Sequence, residues 1–378
     1  MLGASMHVRL LTELSDLDHV LPDWRTLYHA SGRSPFQNPE LHRIWWQHLG
    51  LREGWTPLIA LGYHYGTLVA VASFAIRRSR MLRILEWAGT AAFDYPDILL
   101  SDSADPGALW QAVRQSGYFD IARLRWVRSD TTSRQPLTGF AHKIGDDQLI
   151  HAINLAHSNS QAWFASLPKS MRAEHREKLR LIEKRGPVAM RQATQPEAIR
   201  KAVQTLVRFK AEWSRSRGTE TVYLSDNLDL YFEDVAMAAC RDQTLHLTTL
   251  DCGDESLAVH LGFAGRDGLY YYVSSYDIAA AKLSPGRVHM NLLVMWAIDN
   301  GLHRFDFLRG DADYKTRLGT ASRCLEDYMF SHGLIGSAAL QAFLWQQNRR
   351  AARAEPGQDM LTAGARGLSN AVSGGADA

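Results

Sequence analysis

Apolar and polar positions along the first half of the chain fall into two rhythms, one of period two and one of period 3.6. Met6 to Glu13 reads as a strand. Asp16 to Ala30 reads as a helix, with Leu17, Val20, Trp24, Leu27 and Tyr28 at helical spacing. Glu40 to Leu49 is a second helix, carrying Trp45 and Trp46. Strand signals follow at Pro57 to Gly62, Leu68 to Arg77, Met81 to Trp87 and Ile98 to Leu100. A helix is predicted from Pro106 to Ser116 and a strand from Phe119 to Val127. Ser129 to Gly139 reads as a surface segment, and Gln148 to Asn154 as a strand leading to the second half.

There the pattern changes. Leu167 to Arg185 is a strongly cationic helix, with Ser170 as its expected N-cap, Glu174 near the capping-box spacing, and Gly186-Pro187 as its stop. Most of its cations read as a solvated face, while some would reach an anionic ligand. Val188 to Gln192 is a strand, and Pro196 to Arg215 and Asp226 to Cys240 are helices. Leu245 to Cys252 and Leu257 to Ala264 form a hairpin. Leu269 to Ser275, a helix from Gly286 to Asn300 closed by Gly301, and His303 to Leu308 then make a strand–helix–strand unit. Cys324 to Ser331 is a closing strand and Leu334 to Ala354 a final helix.

The segment Thr67 to Phe74 can be laid over Ser256 to Phe263, each inside a run of strands that ends in a Tyr- and Asp-bearing stretch. The chain therefore reads as two copies of one α/β unit. The expected domains are 1–150, forming an acceptor-side wall, and 151–332, carrying the donor site, with a terminal helix at 333–355 and a disordered tail at 356–378. Each would be a mixed, mainly antiparallel sheet flanked by helices.

Composition narrows the function. The 378 residues are 46% hydrophobic, enough for two cores, and the formal net charge of +2 announces no nucleic-acid partner. Three cysteines at wide spacing, Cys240, Cys252 and Cys324, suit a reducing compartment and form neither a disulfide framework nor a zinc site. No signal peptide and no run of roughly 20 apolar residues is read, so a cytoplasmic protein is expected.

Candidate chemistry concentrates between Gly268 and Leu318. In a crossover unit ligands sit at the carboxyl ends of the strands. The turn bearing Lys282, Ser284, Gly286 and Arg287 opens a helix, where free N–H groups and a cation suit a phosphate, and glycine lets a backbone approach closely. Asp306 lies in a strand between two phenylalanines, where desolvation would raise its pKa toward that of a base; the alternative is a carboxylate that locks the turn. Asp277 orients a substrate or caps a turn. His260 relays a proton or is structural. Tyr314 gives a proton to a leaving group or packs. Arg309 and Lys315 bind an anion or pair with Asp311 and Asp313.

Ser284-Pro285-Gly286, a helix, then Asp306-Phe307-Leu308-Arg309-Gly310-Asp311 and Tyr314-Lys315 resemble the signature of the bacterial CelD/BioF2-like acyltransferases. That family lies in the GCN5-related N-acetyltransferase (GNAT) superfamily and is related to the FemABX aminoacyltransferases. Asp94-Tyr95-Pro96-Asp97, and Ser170 followed by Arg172 and Arg176, fit the same pattern, and the resemblance spans about residues 6 to 332. Leu318 stands where the family often has an aromatic residue. The resemblance implies tandem GNAT-like folds and transfer of an acyl group from acyl-CoA, as co-substrate rather than resident cofactor, to an amine of an envelope lipid or polysaccharide precursor. Tyr276, Arg309, Asp311, Lys315, Arg172, Arg176, Asp94 and Tyr95 would bind substrate, and no metal is implied. An aminoacyl-tRNA-dependent enzyme or a non-catalytic scaffold on the same fold are the competing readings. The final helix carries Leu334, Ile335 and Phe343 before Arg349, Arg350 and Arg353, which suits peripheral contact with an inner membrane; packing on the second domain is the alternative. Acyl length, acceptor identity and oligomeric state are not encoded in these motifs.

Overall fold

The computed structural model describes residues 6–32, 34–90, 92–218, 227–266, 268–310 and 312–351. The expected tail at 356–378 and the start of the predicted helix at Asp226 lie outside them. In chain order come β1 (His7–Leu11), α1 (Leu17–Ser31), α2 (Pro39–Trp45), β2 (Thr56–His64), β3 (Thr67–Ser79), β4 (Leu82–Trp87), β5 (Leu99–Leu100), α3 (Pro106–Gln115), β6 (Ile121–Arg128), α4 (Arg134–Thr138) and β7 (His142–Asn154). They are followed by α5 (Ser160–Ser166), α6 (Lys169–Glu183), β8 (Val188–Gln192), α7 (Pro196–Ser216), α8 (Leu228–Arg241), β9 (Leu245–Cys252), β10 (Glu255–Gly265) and β11 (Gly268–Tyr276). A 3-10 turn (Ile278–Leu283), α9 (Pro285–Asp299), β12 (Arg304–Asp306), α10 (Asp313–Leu318), β13 (Ala321–Ser331) and α11 (Gly333–Ala351) complete the chain.

The described residues form two compact units, one made of those up to Gln148 and from Arg323 to Ala351, the other of those within Leu149–Ser322. In the first, the strand order is β1-β2-β3-β4-β6-β13, antiparallel except for the β4–β6 pair that α3 connects. In the second it is β8-β9-β10-β11-β12-β7, antiparallel except for the β11–β12 pair that α9 connects. The two units thus repeat one topology, each with a single parallel crossover. β3 and β10, the segments that match in sequence, hold equivalent places as third strands.

Continuous apolar runs explain the central strands, which are covered on both faces. From Leu68 to Ile76 every residue of β3 is buried. Inside the first unit Phe74 stacks on Trp87, Trp110 meets Trp87 edge-on, and the Trp110 indole N–H donates to the Ser133 carbonyl at 2.8 Å. In the second unit Leu293 and Val294 of α9 pack on Leu269, Tyr271, Phe305 and Phe307.

Several expectations are corrected. The segment 129–139 contains the short helix α4, which buries Leu137. Ser170 is not the N-cap of α6: Pro168 precedes the helix and no side chain caps it. β12 stops at Asp306, because Leu308 takes a left-handed φ of 58° and turns the chain away. The charged turn beyond it folds as α10, and the basic loop before α9 winds into a 3-10 turn. The terminal helix, expected on the second domain, belongs to the first unit.

Candidate active site

The second unit opens where its two parallel strands part. β11 and β12 pair only at Leu269–Phe305 and Tyr270–Asp306. β11 runs on to Tyr276 with β10 as its remaining partner, while Leu308 (φ 58°) and Gly310 (φ 108°) carry the other chain away. Between Tyr270 and Val273, β11 also gains a residue against β10, which re-aims its backbone as bulges do. The edge of β11 beyond Tyr270 therefore faces a wedge, with backbone polar groups that need partners.

The 3-10 turn and the first turn of α9 lie at the carboxyl end of β11. Asp277 caps the 3-10 turn, accepting from the Ala279 N–H at 2.9 Å, so its carboxylate does the local work of a cap. Ser284 adopts the left-handed conformation (φ 48°), Pro285 occupies the first helical position, and Gly286 follows. A Cβ on Gly286 would stand 3.2 Å from the Tyr276 ring, so glycine here eases close packing on Tyr276 rather than serving a special φ. α6 docks on this turn: Arg287 pairs with Glu174, and the Lys178 ammonium donates to the Lys282 carbonyl at 3.0 Å.

A cleft runs between α6, α9 and α10, lined by Met171, Glu174, His175, Arg287, Met290, Asn291, Tyr314, Arg317 and Leu318. His175 and Asn291 meet at 3.1 Å, and burial together with the Arg176 charge pushes the His175 pKa down. The Asn291 carbonyl oxygen is buried without a hydrogen-bond partner among the described residues. Tyr314 packs edge-on against Phe307, with centroids 5.7 Å apart, while reaching the cleft. Of the cationic helix, Arg176 lies exposed over Phe164 and Arg172 is half-buried.

A second group of charges is buried at the end of β12. Asp306 accepts from the Leu308 N–H at 2.9 Å and pairs with Arg304 at 2.8 Å, so it holds the turn that parts the strands. Lys315 is buried and donates to the Arg309 carbonyl. Lys210 on α7 is 1% exposed, and burial, followed by the Lys315 charge, pushes its pKa down to about 7. The sequence reading missed Lys210, yet it carried a signal: Lys210 falls in register with Val203, Leu206 and Trp213 on the apolar face of its helix. Glu174, His175 and Asn291 were also missed, and only the fold brings them together.

The remaining candidates scatter. His260 is fully buried and stacks on Tyr271 at 4.6 Å, in the core rather than at the wedge. Asp94 and Tyr95 belong to the first unit, where both are buried and Arg128 lies over the Tyr95 ring. Asp311 lies outside the described residues.

Solved structures share this architecture. FemX superposes with a TM-score of 0.58 at 12% identity, over 86% of this chain and 97% of FemX. The C-terminal domain of a putative lysylphosphatidylglycerol synthetase from Agrobacterium fabrum does so at 0.55 and 11% identity, over 86% of this chain and 96% of that one. The fold is thus the mixed α/β, tandem GNAT-like kind. Residues 169–316, which include α6, the wedge, α9 and α10, match the acetyltransferase (GNAT) domain family. This segment thus carries a GNAT domain of the CelD/BioF2-like kind, the domain of an acyltransferase. No curated protein sequence matches the chain.

Proposed function

We propose that the second unit transfers an acyl group from acyl-CoA to an amine of an envelope lipid or polysaccharide precursor. The parting of β11 and β12 beside the start of α9 carries this reading. A pantetheine arm has amide groups that can pair with an exposed strand edge, as an added strand would. Its diphosphate would lie at the start of α9, on the Gly286 N–H with Lys282, Ser284 and Arg287 around it. The thioester carbonyl would then lie against the β11 backbone near the bulge, where an N–H can stabilise the oxyanion.

The amine nitrogen attacks that carbonyl, forming the C–N bond and breaking C–S. Asp306, fixed where the strands part, takes the proton released by nitrogen, and Tyr314 gives one to the departing thiolate. Arg309, Lys315, Arg172 and Arg176 supply positive charge for an anionic acceptor. The apolar lining by Met171, Met290 and Leu318 suits an acyl chain.

Calorimetry with CoA, acetyl-CoA and palmitoyl-CoA tests this, beside a Gly286→Trp variant shown to be folded by circular dichroism. Binding by the native protein, weakened at least about tenfold in the variant, is expected because the indole fills the approach to Tyr276. Failure of the folded native protein to bind any thioester would sink the acyl-CoA reading and turn attention to an aminoacyl-tRNA donor.

A further inference from the structure

Helix α11 is apolar on two opposite faces. One faces the first unit: Leu340 is 3% exposed, Leu344 packs with it on Ile121, Ile144 and Met329, and a Cβ at Gly336 would stand 1.9 Å from the Asp120 carbonyl. At 100° per residue, Leu334, Ala338 and Trp345 point the other way. Leu334 is 90% exposed, the adjoining Ile335 68% and Trp345 58%. A solvated face has no reason to carry this row, and exposed apolar surface of this kind marks an interaction site.

Charge identifies the occupant. α11 contains no Asp or Glu from Gly333 to Ala351, and Arg349 lies over the Trp345 ring at 4.6 Å. The β3–β4 hairpin tip reaches the same cluster, since Leu82 packs with Leu344 against Leu340. That tip carries Arg78 and Arg80, both exposed, and Met81, which is 94% exposed. The acids Asp120, just ahead of β6, and Asp147 on β7 are already paired with Arg83 and Lys143, leaving Asp146 on β7. Apolar side chains ringed by arginines, with a tryptophan among them, suit the headgroup boundary of an anionic bilayer. A second copy of the chain fits less well, because a twofold interface would bring these arginines against one another.

We infer that the outer face of α11 and the β3–β4 tip form a membrane-docking surface that lays the protein on an anionic lipid leaflet. No helix among the described residues is long and apolar enough to cross a membrane, so this contact is peripheral. It stands independently of the acyl donor proposed above.

Flotation of the full chain with phosphatidylcholine vesicles, with and without phosphatidylglycerol, tests it. Truncation would be uninformative, because Leu340 and Leu344 are core. Two surface variants serve instead: Leu334→Glu with Trp345→Glu, and Arg78→Glu with Arg80→Glu, each checked for an unchanged thermal melt. The native protein is expected to float with the anionic vesicles and to be released by salt. Each variant is expected to partition at least roughly tenfold less. Native protein that stays at the bottom, variants that float equally well, or a native dimer split by Leu334→Glu/Trp345→Glu without vesicle binding would each overturn the proposal.

Discussion

His246, His260 and His289 sit inside the core of the second unit, at 0%, 0% and 2% exposure. His246 lies 4.0 Å from the Trp296 ring, His260 stacks on Tyr271, and His289 meets the Thr248 hydroxyl at 3.0 Å. Both ring nitrogens of His246 and of His260 lack hydrogen-bond partners among the described residues. Gly262 leaves the room for the His260 ring, since a Cβ there would stand 2.5 Å from it and 2.4 Å from the Tyr270 carbonyl. Burial holds the His246 pKa at about 4 and the His289 pKa at about 3, and it pushes His260 well below its usual value. A base whose folded pKa is depressed takes up its proton more readily when unfolded. Stability is therefore complete above the unfolded value near 6.5 and is lost as pH falls toward the folded values. At pH 5 His246 and His289 each cost about 2 kcal/mol relative to pH 7. The urea midpoint should drop sharply between pH 7 and pH 5, and His260→Phe, which keeps the stack, should make the drop smaller. A midpoint that does not move would mean that these rings meet water in the folded protein. The sequence shows His260 as a single histidine in a strand; its two neighbours come from β9 and α9, so no local pattern announces the group.

At the scale of elements, the cationic helix α6 and the start of α9 are held together by Glu174 and Arg287. The sequence made both helices legible through their stop signals, Gly186-Pro187 and Gly301, and placed a cationic turn ahead of α9. It did not show that α6 lends a carboxylate to that turn, because residues 113 apart meet only through the fold. The consequence is competition. A diphosphate at the start of α9 must share Arg287 with Glu174, whose side chains are 32% and 35% exposed. A pair so exposed is worth less than about 1 kcal/mol. Glu174→Gln should accordingly tighten CoA binding about threefold, while Arg287→Ala weakens it by about tenfold. Calorimetric titration of the two variants against the native protein reads both effects. Equal affinities in all three would remove Arg287 from the donor site. β12 was legible as a strand but not in its length, since the left-handed turn at Leu308 arises where no glycine marks it.

The whole molecule is a repeat whose closing strands are exchanged along the chain. The strand next to β6 in the first unit is β13, which comes at the far end of the second unit in sequence, and the strand next to β12 is β7, whose paired residues Ala152, Ile153 and Asn154 lie at the start of that unit. The repeat was legible in the matching runs at β3 and β10, because those strands are central and apolar in both copies. The exchange was not, because the period-two pattern of β13 states that one face is buried but not in which sheet. Its weight in the first unit is large. Phe330 meets Phe119, Phe140 and Trp110 edge-on, and Tyr328 is 2% exposed. Glu326 binds Arg134, Lys143 and the Tyr328 hydroxyl, bonds that hold its carboxyl down at about 2 against the cost of burial. A fragment ending at residue 148 keeps β1 to β6 but loses all of these contacts and bares the β6 edge, which invites association. We expect the fragment 1–148 to aggregate or to melt without cooperativity, and a peptide of residues 323–378 added in trans to restore a cooperative melt and protect the β6 amides from hydrogen exchange. A fragment 1–148 that melts cooperatively alone would show that the first unit closes without β13, and that the exchange of strands is incidental to its stability.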